Sequence, residues 1–295
     1  MTICQVTEYN ADNELLRDVD LSEPNKLWQH PWQLVHRVHL HEELKRRATS
    51  PSGEGVPVVL KTCSRVIDVD ASSATAVLEN GESVHGDVLI GADGVHVSLY
   101  SGPPRPRNQI NTYPIWMSCA DNPDQSKTRS KVPGGDITTK SSGKSAFRFL
   151  VPRQVALDDP LTAQYAKRDG QLIIWYGQDR RVIMYPCDSN RQLNFVCIHP
   201  REESDVDQAS GEWLLLQTDS TQRLTKQPGW STEANKMKLL EVYKDFDPSL
   251  IALLDKAEAK SLKAWELLDM DVLSTWVNDR LALLGDAAHP FLPRK

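Results

Sequence analysis

The sequence predicts an α/β fold joined to α+β, an incomplete parallel-sheet domain plus an antiparallel-sheet domain, on three observations. Two apolar runs, Val88-Leu89-Ile90 and Arg280-Leu281-Ala282-Leu283-Leu284, each lead straight into a glycine turn, as strands buried in a parallel sheet do. Between them, residues 146–151, 171–176, 181–185 and 192–199 are strand-like stretches separated by short polar turns, which read as an antiparallel meander. The second apolar run comes only after a helical region, so the chain returns to its first domain. The expected division is therefore 1–105, 106–272 and 273–295, with the outer segments sharing one domain.

The remaining elements follow from local pattern. Residues 58–60, 65–69 and 75–78 are short and β-branched, and Asn80-Gly81 suits a type I′ turn that folds 75–78 back on 83–85. Residues 102–143 shift towards Pro, Gly, Ser and Lys, with an apolar island at 113–119; this reads as a domain crossing and a long loop. Leu239, Leu240, Tyr243 and Phe246 recur at helical spacing after Ser231, a suitable N-cap. Asp247-Pro248 stops that helix and starts the next one, through Leu250, Leu253 and Leu254.

Composition narrows the function classes. With 40% hydrophobic residues and 8 Trp in 295 residues, the chain can bury a real core. Its net charge is −6, and no segment approaches the roughly 18 apolar residues of a membrane span, so neither nucleic acid nor a membrane is the expected partner. The first ten residues show no leader pattern, which makes the cytoplasm the expected location. The five cysteines, Cys4, Cys63, Cys119, Cys187 and Cys197, are scattered and read as free thiols. His36, His39 and His41 lie close in sequence, but a helix spreads them over different faces, so no metal site is expected.

Two strand-end motifs carry the chemistry, Gly91-Ala92-Asp93-Gly94 and Gly285-Asp286-Ala287-Ala288-His289-Pro290. Ligands of open α/β sheets bind beyond the carboxyl ends of strands, where both motifs fall. Gly91 and Gly94 let the backbone turn and approach a ligand, and Asp93 offers a carboxylate. Asp286 can accept hydrogen bonds from sugar-like hydroxyls, while Ala287 and Ala288 keep the wall thin and the helix start beyond favours a pyrophosphate. Each motif also has a plain reading, an ordinary turn for the first and an N-capping Asp for the second.

Together these motifs resemble the second and third flavin fingerprints of the FAD-dependent aromatic monooxygenases, the group of salicylate hydroxylase and p-hydroxybenzoate hydroxylase. A third segment, His36-Arg37-Val38-His39-Leu40-His41-Glu42-Glu43-Leu44, resembles the stretch whose Arg contacts FAD, here Arg37. Order and spacing agree, the resemblance spans nearly the whole chain, and it is closest to fungal members linked to phenolic and polyketide oxidation. It implies an FAD/NAD(P)-binding parallel-sheet domain plus an antiparallel-sheet substrate domain. It also implies FAD as cofactor, NAD(P)H as co-substrate, and transfer of one oxygen atom from a flavin hydroperoxide to a phenolic or polyketide-derived ring.

Site residues follow the same resemblance. Arg37, Asp93, Gly94, Gly285, Asp286 and Ala287 are expected to hold the cofactor, and Pro293 to line the flavin face where oxygen reacts. Arg148 and Tyr185, on adjacent candidate strands, could hold a phenolate through a fixed charge and a polar tip. The alternatives are cross-sheet pairing for Arg148, and packing on Trp175 or Phe195 for Tyr185. The implied partners are a small aromatic or polyketide substrate, with a homodimer or a complementary chain left open.

Three features depart from the family. No G-x-G-x-x-G occurs in this chain, and the third fingerprint is followed by only five residues. After Asp93-Gly94 the family shows Ser and then Arg, whereas here Val97, Ser98, Leu99 and Tyr100 follow His96. Lacking a central βαβ unit, the sheet would expose the apolar flank of residues 88–90. A second reading therefore stands beside the enzyme, a truncated non-catalytic remnant or partner protein that does not hold FAD by itself.

Overall fold

The structure is a computed structural model and describes residues 2–53, 55–94, 126–137, 139–204 and 232–290. In chain order its elements begin with β1 (Gln5–Asn10), β2 (Leu15–Asp20), α1 (Ser22–Leu27), α2 (Arg37–Thr49), β3 (Val66–Asp70), β4 (Thr75–Leu78), β5 (Ser83–His85) and β6 (Leu89–Gly91). They continue with β7 (Lys140–Pro152), α3 (Arg153–Leu157), α4 (Ala163–Ala166), β8 (Gln171–Gly177), β9 (Arg180–Cys187) and β10 (Gln192–Pro200). The last are α5 (Thr232–Val242), α6 (Pro248–Leu254), β11 (Lys263–Asp269), β12 (Val277–Asn278) and β13 (Leu281–Leu283). The mixed α/β and α+β architecture is the one the sequence predicts.

Two compact units result, Met1–Val58 with Gly143–Leu267, and Val59–Ser142 with Leu268–Lys295. The expected boundaries at 105 and 272 fall elsewhere. What draws the N-terminus into the first unit is β1, which pairs in parallel with β8 from Gln5↔Gln171 to Asn10↔Tyr176.

The first unit is built on a seven-stranded sheet, in the order β11-β7-β10-β9-β8-β1-β2. The expected four-strand meander is thus corrected: β8, β9 and β10 follow one another, but β7 crosses over to pair with β10, and β1 pairs in parallel with β8, leaving β2 at the edge. Alternation along the strands makes two faces. One face carries Phe147, Phe149, Trp175, Met184, Leu193 and Phe195, covered by Leu239, Tyr243, Leu250 and Leu253 of the α5–α6 region. Phe149 and Phe195 stack with ring centroids 4.7 Å apart. Asp247 caps α6 as expected, its side chain accepting from Ser249 N, with Pro248 in the first turn. Ser231, the expected cap of the preceding helix, lies outside the described residues, as do Cys119 and the segment 102–125 of the expected long loop.

In the second unit, β3, β4 and β5 form one small antiparallel sheet, and β12, β13 and β6 form another in which β6 and β13 run parallel. Three expectations change here. Residues 58–60 are not a strand; Val59 is 83% exposed, because β-branched residues give a strand only where a neighbour pairs with them. The β4–β5 connection is not a type I′ turn, since only Gly81 has positive φ (84°). Instead Gly81 N donates to Leu78 O at 2.9 Å and Leu78 N to Glu82 O at 2.8 Å, a three-residue loop ending in a left-handed glycine. Finally, β6 is only half buried. Leu89 packs against the core of Val69, Leu281 and Leu283, but Val88 and Ile90 are 61% and 55% exposed. Residues 126–137, expected in the long loop, are folded into this unit.

His199 ends the core of the first unit. It is fully buried, stacks on Phe147 at 4.6 Å, and has Nδ1 3.3 Å from Cys197 O, while Nε2 has no partner among the described residues. Burial pulls its pKa down to about 4, against a weaker opposing effect from the Cys197 carbonyl. Above pH 6.5 both folded and unfolded states hold it neutral. Between about 6.5 and 4 only the unfolded chain takes up the proton, so stability falls as pH drops through that window, by roughly 3 kcal/mol for this group. Urea midpoints of the first unit should decline from pH 7 to 4, and His199→Phe should flatten that part of the profile; an equally steep decline in the variant contradicts the assignment.

Candidate functional site

The second unit brings the two strand-end motifs side by side. β6 and β13 pair in parallel with Leu281↔Leu89 and Leu283↔Gly91, and Leu284 N donates to Gly91 O at 2.8 Å. Both chains therefore leave the sheet at the same carboxyl edge. Gly94 and Gly285 turn there with φ of 75° and 64°, values that side chains disfavour. Ala287 and Ala288 are buried behind the second turn, and Ala288 N and His289 N both donate to Gly285 O.

A residue that no sequence pattern marked holds the two turns together. Arg129 has no exposed surface; its Nε donates to Ala287 O at 2.9 Å, and its Nη2 to Asp286 O at 3.1 Å and Gly94 O at 3.3 Å. Burial lowers its pKa, while the nearby Asp93 and Asp286 charges favour the cation. Nη1 is buried with no partner among the described residues. Just upstream, Ser126 and Thr128 close on Asp93. Its Oδ1 accepts from Ser126 Oγ and Thr128 Oγ1, each at 2.6 Å, and its Oδ2 from Thr128 N at 3.2 Å. A Ser and an Arg, the residue types missing directly after His96, reach this turn from positions 126 and 129.

The two carboxylates differ in availability. Both oxygens of Asp93 are occupied by protein donors, so it organises the loop. Asp286 is exposed, and its side chain makes no hydrogen bond among the described residues. Standing at the rim of a wall of buried alanines, it is an acceptor free for hydroxyl donors. Those residues fit a polyhydroxylated arm of a flavin nucleotide.

In the first unit, Arg37 is the exposed first residue of α2, after His36 as N-cap. Arg148 on β7 lies opposite Val196, and Tyr185 on β9 lies opposite Asn194, so both flank β10 on one sheet face. It is the face opposite Trp175 and Phe195; Tyr185 packs instead against the cluster of Val6, Leu172 and Ile174. Burial raises the Tyr185 pKa and the Cys187 side adds to it, while the Arg148 charge and a hydrogen bond with Asn194 pull it down. Arg148 is exposed and makes no hydrogen bond or ion pair among the described residues. Pro293 lies outside the described residues. His39 Nδ1 is 3.2 Å from Asp188 Oδ1, and no group of metal-binding side chains converges among the described residues.

No protein-family model matches the chain. It is 30% identical over 275 residues to hispidin-3-hydroxylase of Neonothopanus nambi, covering 89% of this chain and 53% of that protein. It is 28% identical over 267 residues to the FAD-dependent monooxygenase phomE' of Diaporthe leptostromiformis, covering 90% and 55%. Its homologues are FAD-dependent monooxygenases. The chain spans about half the length of these relatives. Among solved structures, Klebsiella pneumoniae HpxO complexed with FAD and uric acid shares the fold at TM-score 0.66 and 18% identity, over 98% of this chain and 57% of that one. A salicylate hydroxylase substrate complex does so at 0.59 and 20%, over 98% and 58%.

The close fit at β6 gives a prediction. A Cβ at Gly91 would lie 2.3 Å from Thr128 Oγ1 and 2.4 Å from its Cβ. Gly91→Ala should destabilise the second unit by about 1–3 kcal/mol, read as a lower thermal midpoint; an unchanged midpoint means that Thr128 is not seated there.

Proposed function

We propose that the chain contributes the flavin-holding wall and the substrate sheet of an FAD-dependent monooxygenase that hydroxylates a phenolic or polyketide-derived ring with NAD(P)H and O2. The observation that carries this reading is Asp286, an exposed, uncommitted carboxylate on a turn that a buried arginine fixes in place. When bound, the flavin supplies the redox and oxygen-transfer chemistry. Asp286 holds its hydroxylated arm, Gly94, Gly285 and Ala287 keep the backbone low enough for close approach, and Arg37 offers a cation to its polar part. Asp93 acts on the same wall from behind, through the loop it organises. Pro293 follows the wall in sequence and is assigned to the flavin face.

On the substrate side, Arg148 and Tyr185 hold the ring's oxygen, Arg148 by charge and Tyr185 by its hydroxyl. A small aromatic substrate, the cytoplasm, and a second copy or a complementary chain as partner complete the reading.

Purified protein given FAD should consume NAD(P)H faster when simple phenols are added. Loss of charge-assisted hydrogen bonds worth about 1.5–3 kcal/mol should make Asp286→Ala need roughly ten- to a hundredfold more FAD for half-saturation. Unchanged FAD affinity in that variant removes Asp286 from the site. Tyr185→Phe should leave FAD affinity intact and reduce the stimulation by phenols; equal stimulation removes Tyr185.

A further inference from the structure

Asp93 and its partners form a contact of local type made from distant positions. Its three donors come from residues 33 and 35 positions further on. Between His96 and Ser126 stand 29 residues, 97–125, which include five of the chain's 18 prolines. Connections inside a compact unit are ordinarily about 2–6 residues long, so 29 is well beyond the usual length.

The residues flanking this stretch are fitted to each other. Gly91, before it, is the residue whose absent Cβ leaves room for Thr128, after it. Gly135 has the same relation to the Arg129 backbone, where a Cβ would fall 1.7 Å from Arg129 O. Asp93 accepts from Ser126 and Thr128, and Gly94 O from Arg129. With Ser126 already at hydrogen-bond distance from Asp93, the distance can be crossed by Gly94, Val95 and His96 alone, since each residue spans up to about 3.3–3.6 Å.

We propose that Ser126, Thr128 and Arg129 complete the turn that Gly91-Ala92-Asp93-Gly94 begins, that Arg129 is a positioning residue for Asp286, and that residues 97–125 are an insertion within this turn which the unit does not need. The role assigned to Arg129 rests on the flavin reading above. The dispensability of 97–125 does not. Arg129 donates from a planar fork to two turns at once, and a lysine keeps the charge but lacks the fork.

The test compares the parent chain, a variant lacking 97–125 with His96 joined to Ser126, and a variant carrying a 29-residue Gly/Ser stretch in their place, each with and without Arg129→Lys. Thermal midpoint and quenching of FAD fluorescence on titration are read for all. Deletion and Gly/Ser variants should melt at or above the parent midpoint and be half-saturated at the parent's FAD concentration. Arg129→Lys should raise that concentration at least tenfold in every background. A lower midpoint in either replacement variant overturns the insertion. Arg129→Lys that lowers the midpoint but leaves FAD half-saturation unchanged overturns the positioning role. If no form quenches FAD, the positioning role falls together with the flavin reading, and the melting comparison alone decides on the insertion.

Discussion

Arg129 is a charge without solvent, and the second unit is arranged around making that position tenable. Taking a guanidinium out of water costs several kcal/mol unless hydrogen bonds and opposite charge compensate. Here three main-chain carbonyls accept from it, and Asp93 and Asp286 lie close enough to favour its charged form. The three carbonyls belong to both strand-end turns, so the compensation that keeps Arg129 buried is also what fixes the turns relative to each other. Gly91 and Gly135 serve the same end by leaving room for the 126–129 backbone and Thr128.

This arrangement divides the labour between two aspartates that look alike in sequence. Asp93 is consumed by internal donors and shapes the loop. Asp286 is held through its main-chain oxygen, and its exposed carboxylate has no hydrogen-bond partner among the described residues. A rigid support with one free acceptor is the preorganisation that a hydroxyl-rich ligand rewards. In the first unit, strand alternation puts aromatic packing under α5 and α6 on one face and Arg148 and Tyr185 on the other.

What could be read from sequence was whatever is encoded locally. Apolar runs ending in glycine located β6 and β13, and Asp247-Pro248 located α6. Arg129 could not be read, because its partners lie 35 to 158 positions away in either direction. β1 and β2 were missed because β2 is mostly exposed and its polar residues hide the strand period. Residues 58–60 were over-read for the opposite reason, since their β-branched side chains suggest a strand but no strand pairs with them among the described residues.

Hydrogen exchange with and without added FAD tests the central claim most directly, because it reads both turns at once. If Arg129 couples them into one flavin-facing wall, FAD should slow exchange at the amides of residues 285–289, and also at 126–131, which supply the support. Slowed exchange at 285–289 alone, or at neither segment while FAD binds elsewhere, contradicts the account.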